Sequence, residues 1–337
     1  MKRKGIFLLP ALAVFLLLFS SYAAAKPFYE GKPIVLVVST NPGGGYDFYG
    51  RMVAVFMEKE LPGSTIIVKN VPGAGHVIGW NEIYNSKPNG LTFGTGSAAI
   101  ITPQLLGMKG VKYDLLKMSW LGHVGIQETF IMANPAKYKS WEQIKKADRV
   151  LMATSGKGST MYTNFSIFIK TTDSKNIKLV TGFSGSAQEL ALMRGDIDGI
   201  QVSKGDALSM IKKGTGAPVL SFSNRKAKEE VFKDVPLFKE IVPEQKWRKL
   251  VNFVSDTGSA LLARIFGGPP GIPADRLKIL RDAFARAIDN PEFVKRMEKA
   301  EMSADHLSLE EFETALKDLM DLAPEDVEIL REATGIK

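Results

Sequence analysis

The chain has 337 residues, with 44 Lys and Arg against 36 Asp and Glu, a net charge of +8. Hydrophobic content of 45% with 24% charged residues is that of a globular protein and excludes a disordered, fibrous or polytopic membrane chain. Zero cysteines exclude disulfides, thiolate zinc sites, iron–sulfur clusters, a Cys nucleophile and a lipidated cysteine.

Lys2, Arg3 and Lys4 precede an apolar run from Ile6 to Ser20, and Ser21–Ala25 supplies small residues. The run falls short of the roughly 20 residues of a membrane span and contains Pro10. It reads as a secretory signal cut after Ala25, which leaves 312 residues at +5. That surplus is mild and scattered, so nucleic-acid binding is not expected. The positive field weakly favours an anionic small ligand.

At about 150 residues per domain, the length suggests two domains. Strand-like and helix-like segments alternate. Ile34–Ser39, Thr65–Lys69 and Leu91–Thr95 read as strands, with helices at Tyr46–Glu60 and His76–Ser86. The pattern breaks near Gly122–Gln127 and restarts with strands at Glu128–Ala133, Val150–Thr154, Ile177–Thr181, Ile197–Val202 and Pro218–Ser223. Helices at Trp141–Lys146, Thr160–Lys170 and Ala187–Met193 lie between them. A weaker strand, Leu261–Phe266, precedes helices at Ala274–Asp289, Pro291–Lys299 and Leu309–Leu330. Ser308 reads as an N-cap with Glu311 three residues on. Apolar strands separated by helices imply α/β architecture with mainly parallel sheets. Two runs imply two sheets, the C-terminal helices covering the first. The resulting expectation is a discontinuous first lobe, 26–125 with 248–337, and a second lobe, 126–247.

Glycines gather where strands hand over to helices. Gly43–Gly44–Gly45–Tyr46–Asp47 follows the first strand, Gly73–Ala74–Gly75–His76 the second, and Gly94–Thr95–Gly96–Ser97 the third. Ser155–Gly156–Lys157–Gly158–Ser159–Thr160 and Gly182–Phe183–Ser184–Gly185 hold equivalent places in the second run, and Ser203 follows its fourth strand. One such loop alone is a tight turn. Five on the carboxyl side of the strands place free amides and helix N-termini where α/β proteins bind anions. Nucleotide fingerprints are not met: Gly73, Gly75 and Gly79 are spaced one residue too long, and Leu151 replaces the first phosphate-loop glycine.

Nothing assembles an enzyme or a metal site. There is no G-x-S-x-G elbow, because Ser186 stands in place of the last glycine. Of the three histidines, none has metal-ligand spacing. His76 could face a ligand, His123 reads as structural and His306 as exposed. Asp47 reads as a helix cap paired with Arg51, and Asp196 and Asp198 as a turn into a strand.

Taken in order, these loops resemble the periplasmic solute receptors of tripartite tricarboxylate transporters, the Bug proteins. Pro42–Asp47 with Arg51 resembles their P-G-G-x-D-x-x-x-R opening, and Asn70–Gly75 with Gly79 their N-x-P-G-A-G-G-x-x-G segment. Lys87–Thr92, Gly182–Asp198, Asp234–Glu240 and Gly268–Pro273 are similar to four further segments, so the likeness covers about residues 33–300. His76, Asn89 and Met161 depart from the family pattern at positions of glycine, aspartate and histidine, and no tryptophan stands in Leu261–Phe266. The resemblance implies a type II-like periplasmic-binding fold whose two lobes close on a small carboxylate, no cofactor, a monomer, and a membrane permease as partner. The expected ligand cradle is Gly43, Gly44, Gly45, Tyr46, Asp47, His76, Ser97, Ser155, Gly156, Lys157, Gly158, Ser159, Thr160, Ser184 and Ser203. A secreted enzyme for a small anion, or a ligand-presenting sensor protein, is the alternative.

Overall fold

A computed structural model describes residues 27–335 apart from 127, 157–158, 184–185, 243 and 256–261. The leader thus lies outside the described residues. The chain first lays down β1 (Pro33–Val38), α1 (Gly45–Glu60), β2 (Thr65–Asn70), α2 (Val77–Tyr84), β3 (Thr92–Gly96), α3 (Ile101–Leu105) and β4 (Ser119–His123). It continues through β5 (Thr129–Ala133), α4 (Trp141–Lys146), β6 (Val150–Ala153), α5 (Thr160–Thr172), β7 (Ile177–Val180), α6 (Ser186–Arg194), β8 (Gly199–Ser203), α7 (Lys204–Lys213) and β9 (Ala217–Ser221). After α8 (Phe238–Ile241) and α9 (Arg248–Phe253) come β10 (Ile265–Gly268), α10 (Ala274–Ile288), α11 (Pro291–Lys299), α12 (Leu309–Met320) and α13 (Pro324–Thr334).

Two five-stranded sheets result, ordered β2-β1-β3-β10-β4 and β7-β6-β8-β5-β9. In the first, β1 runs parallel to β2 and β3, and β10 is antiparallel to both β3 and β4. In the second, β6 runs parallel to β7 and β8, and β5 is antiparallel to β8 and β9. Each sheet is therefore parallel except for the strand in its fourth place, and the expected two-lobed α/β fold is present.

The reason lies in burial on both faces. Ile34, Leu36, Val37 and Val38 of β1 are fully buried, which a central parallel strand requires. Tyr49, Val53 and Phe56 of α1 and Leu280 and Phe284 of α10 cover one face of the first sheet, forming one core with Ile34, Leu36 and Phe93. Trp80, Trp120 and Phe312 belong to the core on the other side, with the Trp120 and Phe312 rings 5.4 Å apart, edge to face. In the second lobe, Trp141, Phe168, Phe222 and Phe238 form a chain of aromatic contacts at 5.1–5.7 Å.

Three sequence expectations need correction. The weak strand falls at Ile265–Gly268 rather than Leu261–Phe266, with Leu261 outside the described residues. The run Leu309–Leu330 is two helices, because Pro324 starts α13 where a continuing helix would need a backbone donor. While α10 and α12 pack on β4, α13 packs on α5 beside the second sheet.

Gly79 lets α2 lie directly on the end of β1 and the start of the second glycine loop. A Cβ there would stand 2.7 Å from Ser39 Cβ, 2.9 Å from Ser39 Cα and 2.8 Å from the Val71 carbonyl oxygen. Two of those obstacles are backbone, which cannot rotate away. Gly79→Ala should cost about 1–3 kcal/mol, read as a lowered urea midpoint at unchanged slope.

Candidate functional site

Gly44 is the N-cap of α1 and brings no side-chain cap, so the first-turn amides are left for another acceptor. Asp47 does not cap as expected. Its buried carboxylate turns back onto the glycine loop: Oδ2 accepts from Gly43 N–H and from Arg51 Nε, both at 2.9 Å. Oδ1 accepts from Asn70 Nδ2 at 2.9 Å, tying the loop to the end of β2. The Arg51 hydrogen bond, with those from Gly43 and Asn70, outweighs burial and holds the Asp47 carboxyl down to about 2.

His76 sits in a left-handed conformation, φ 77°, between the second glycine loop and α2. Its Nδ1 is 2.9 Å from Ser39 Oγ, and that hydroxyl gives its single proton to the Thr95 carbonyl at 3.1 Å. Ser39 must therefore accept from Nδ1–H, which leaves Nε2 as an acceptor. Burial lowers the His76 pKa below its ordinary value and favours this neutral ring. The ring meets Tyr46 edge to face at 5.4 Å. Ser97 caps the single turn Ala98–Ile100 by accepting from Ala99 N–H at 3.1 Å.

From the second lobe, Ser155 is exposed in the loop after β6. Ser159 caps α5, accepting from Tyr162 N–H at 3.2 Å and donating its proton to the Gly156 carbonyl at 2.8 Å. Ser203 caps α7 and donates to Asp206 Oδ2 at 2.7 Å. Both hydroxyls are thus committed within their own caps. Thr160 opens α5 and is exposed. Lys157, Gly158 and Ser184 lie outside the described residues.

Two cavities separate the lobes' loops. One, about 220 Å³, is lined by Ala74, Gly75, Ala99 and Thr102 on one side and by Thr160 and Asn164 on the other. The second, about 620 Å³, is lined by Tyr49 and Arg264 of the first lobe and by Ser203, Lys204 and Gly205 of the second. Arg264 and Asn164 are absent from the sequence-derived set. Thr160, Thr163 and Asn164 share a helix face, a polar stripe that sequence alone offers. Arg264 has no such signal.

Arg264 holds φ 46°, a conformation that costs a non-glycine residue about 1–2 kcal/mol. Its guanidinium lies 4.4 Å from the Tyr49 ring centroid and 5.5 Å from that of Tyr46, and Nη1 donates to the Gly125 carbonyl at 3.0 Å. Nη2 is 4.0 Å from where a Cβ of Gly45 would stand, so a cation faces the positive end of α1. Among the described residues no carboxylate pairs with it.

The other two histidines are structural. His123 is buried and its Nε2 accepts from Leu307 N–H at 2.8 Å. His306, expected on the surface, is half-buried with Nε2 3.3 Å from Asp289. Asp198 does more than turn the chain: it accepts from Lys137 Nζ at 2.8 Å and from Leu151 N–H at 2.9 Å.

No helix of the described residues is long and apolar enough to cross a membrane. A family model described as the tripartite tricarboxylate transporter family receptor matches residues 50–321. Protein BugT of Bordetella pertussis is 31% identical over 112 residues, 32% of this chain and 33% of BugT, so the chain aligns with a third of that relative. A TctC solute binding protein from Polaromonas superposes with a TM-score of 0.72 at 21% identity, covering 91% of this chain and 99% of that one. The Rhodopseudomonas palustris protein Rpa4515, solved with adipate, superposes with a TM-score of 0.61 at 17% identity, over 90% and 97% of the two chains. With two sheets of matching order, an uncapped helix end beside an arginine that, among the described residues, no carboxylate neutralises, and a family match over most of its length, the chain belongs to the tripartite tricarboxylate transporter receptor family.

Proposed function

We propose that this protein is a periplasmic receptor that captures a small carboxylate between its lobes and delivers it to the membrane subunits of a tripartite permease. In this reading residues 1–25 are removed on export, 26–125 with 248–337 form one lobe whose last helix, α13, reaches across to α5, 126–247 form the other, and the receptor works as a monomer. The observation that carries it is the pairing of Arg264 with the uncapped first turn of α1. An anion seated beside both a guanidinium and an uncapped helix N-terminus is stabilised by each of them. The adipate in Rpa4515 belongs to the same ligand class.

The amides of Gly44, Gly45, Gly156 and Gly158 are the proposed donors, with Tyr46 and His76 as one wall and Ser97, Ser155, Lys157, Thr160 and Ser184 as further proposed contacts, of which Lys157, Gly158 and Ser184 lie outside the described residues. A micromolar site needs about 8 kcal/mol. Charge-assisted hydrogen bonds contribute about 1.5–3 kcal/mol each, so four of them suffice in scale. Closure of the lobes would complete the set.

A thermal-shift panel of acetate, succinate, malate, adipate and citrate on the mature protein tests the reading. At least one di- or tricarboxylate should raise the melting temperature and lower the radius of gyration in small-angle scattering. Arg264→Gln should weaken that ligand tenfold or more by titration calorimetry. A panel without any shift would overturn the carboxylate assignment.

A further inference from the structure

The smaller cavity carries an observation that a carboxylate cradle does not use. Asn164, on the second turn of α5, is 0% exposed, and neither its Oδ1 nor its Nδ2 has a hydrogen-bond partner. A buried amide with both ends unpaired is costly and calls for a partner able to accept and donate together. The side chain lines the cavity of about 220 Å³, with the hydroxyl-bearing Thr102, Thr160 and Thr163 around it and Met108 and Pro103 as apolar wall. That cavity adjoins the proposed cradle through the chain itself: Gly75 precedes His76, Ala99 lies two residues from Ser97, and Thr160 follows Ser159.

The chemistry of the lining selects the partner. No Lys, Arg or His lines this cavity, so an ionised carboxylate there would be buried without a counter-ion. A carboxylate only accepts. It would take Asn164 Nδ2–H and leave Oδ1 facing its own lone pairs. A carboxamide both donates and accepts, and can form two reciprocal hydrogen bonds with the Asn164 amide.

We infer that Asn164 forms a second ligand subsite for an uncharged amide end group, which makes the preferred ligand a carboxylate at one end and a carboxamide at the other. This rests on the carboxylate reading above and narrows it. Asn164 sets specificity by contact with the ligand, and the arginine end of the cleft sets the charge requirement.

Titration calorimetry on the mature protein would compare succinate, glutarate and adipate, each against its monoamide. The wild type should bind a monoamide at least tenfold more tightly than its diacid. Asn164→Leu should reduce that preference to within twofold, while the ligand-free protein melts no lower, since two unpaired buried polar atoms are gone. Asn164→Ala, which needs less space, serves the same comparison if the leucine variant fails to fold. Diacids bound as tightly as monoamides, or a preference that survives both substitutions, would mean that water alone occupies the cavity and would overturn the inference with the carboxylate reading intact. Binding of none of the six compounds would overturn the inference, and with no response to malate or citrate either it would overturn the carboxylate reading as well.

Discussion

Asp47→Ala is expected to lower stability by about 2 kcal/mol and to weaken carboxylate capture at least tenfold, whereas Asp47→Asn should retain most of both. The carboxylate holds Gly43 N–H, Arg51 Nε and Asn70 Nδ2 at once, and so fixes the glycine loop against β2. Removal leaves donors of the loop and of Asn70 without their acceptor, at about 1–3 kcal/mol when buried. The ion pair itself contributes little of this, because the Arg51 side chain is 50% exposed. Asparagine can still accept from Gly43 and so preserves the turn. Since Gly44 and Gly45 present their amides from this loop, affinity should fall further than stability alone would suggest. Urea titration and calorimetry on both variants check the two halves. Equal affinity in Asp47→Ala and the wild type would show that the loop needs no such brace.

Acid should weaken the protein through His123, by about 2 kcal/mol between pH 6.5 and 5. Burial, with the positive potential of His306, lowers its pKa from the ordinary 6.5 to about 3. In the native state Nε2 accepts from Leu307 N–H and the ring stacks on Phe312 at 5.6 Å, an arrangement only the neutral ring allows. Below pH 6.5 the unfolded chain takes up a proton that the native protein refuses. The unfolded state then binds more protons, so stability rises with pH and is lost as pH falls, about 1.4 kcal/mol per unit until the folded pKa is reached. His76, also lowered by burial, acts in the same direction. His123→Gln can accept from Leu307 without titrating and should lose about 2 kcal/mol less than the wild type between pH 7 and 5. Equal losses in urea unfolding at the two pH values would place the acid sensitivity elsewhere.

Read along the chain, the apolar runs place eight of the strands and only the neighbourhood of a ninth, β10, because a short run of apolar residues is a local signal. The tenth, Ser119–His123, is hidden by its own composition. Gly122, at φ 141°, lies under the Phe284 ring, where a Cβ would come within 2.9 Å, and His123 looks polar until Leu307 satisfies it. Helix α7 escapes for a related reason, since Lys204, Asp206, Lys212 and Lys213 dilute a face that buries only Ala207 and Met210.

The glycine loops were legible because the need for free amides at strand ends is written into adjacent residues. Asp47 was legible as a partner of Arg51 four residues on, but its grip on Gly43 and Asn70 was not, because Asn70 arrives from another strand. Arg264 reaches Gly45 across more than two hundred residues, and Asn164 becomes an unpaired amide only when α3, α5, α9 and α13 come together around it. Sequence by itself determined most of the elements, the two-sheet alternation and the family, all carried by short-range pattern. Tertiary structure alone decided which cation faces the helix end and which polar group is left without a partner, because both depend on burial and on neighbours that the chain brings together only by folding.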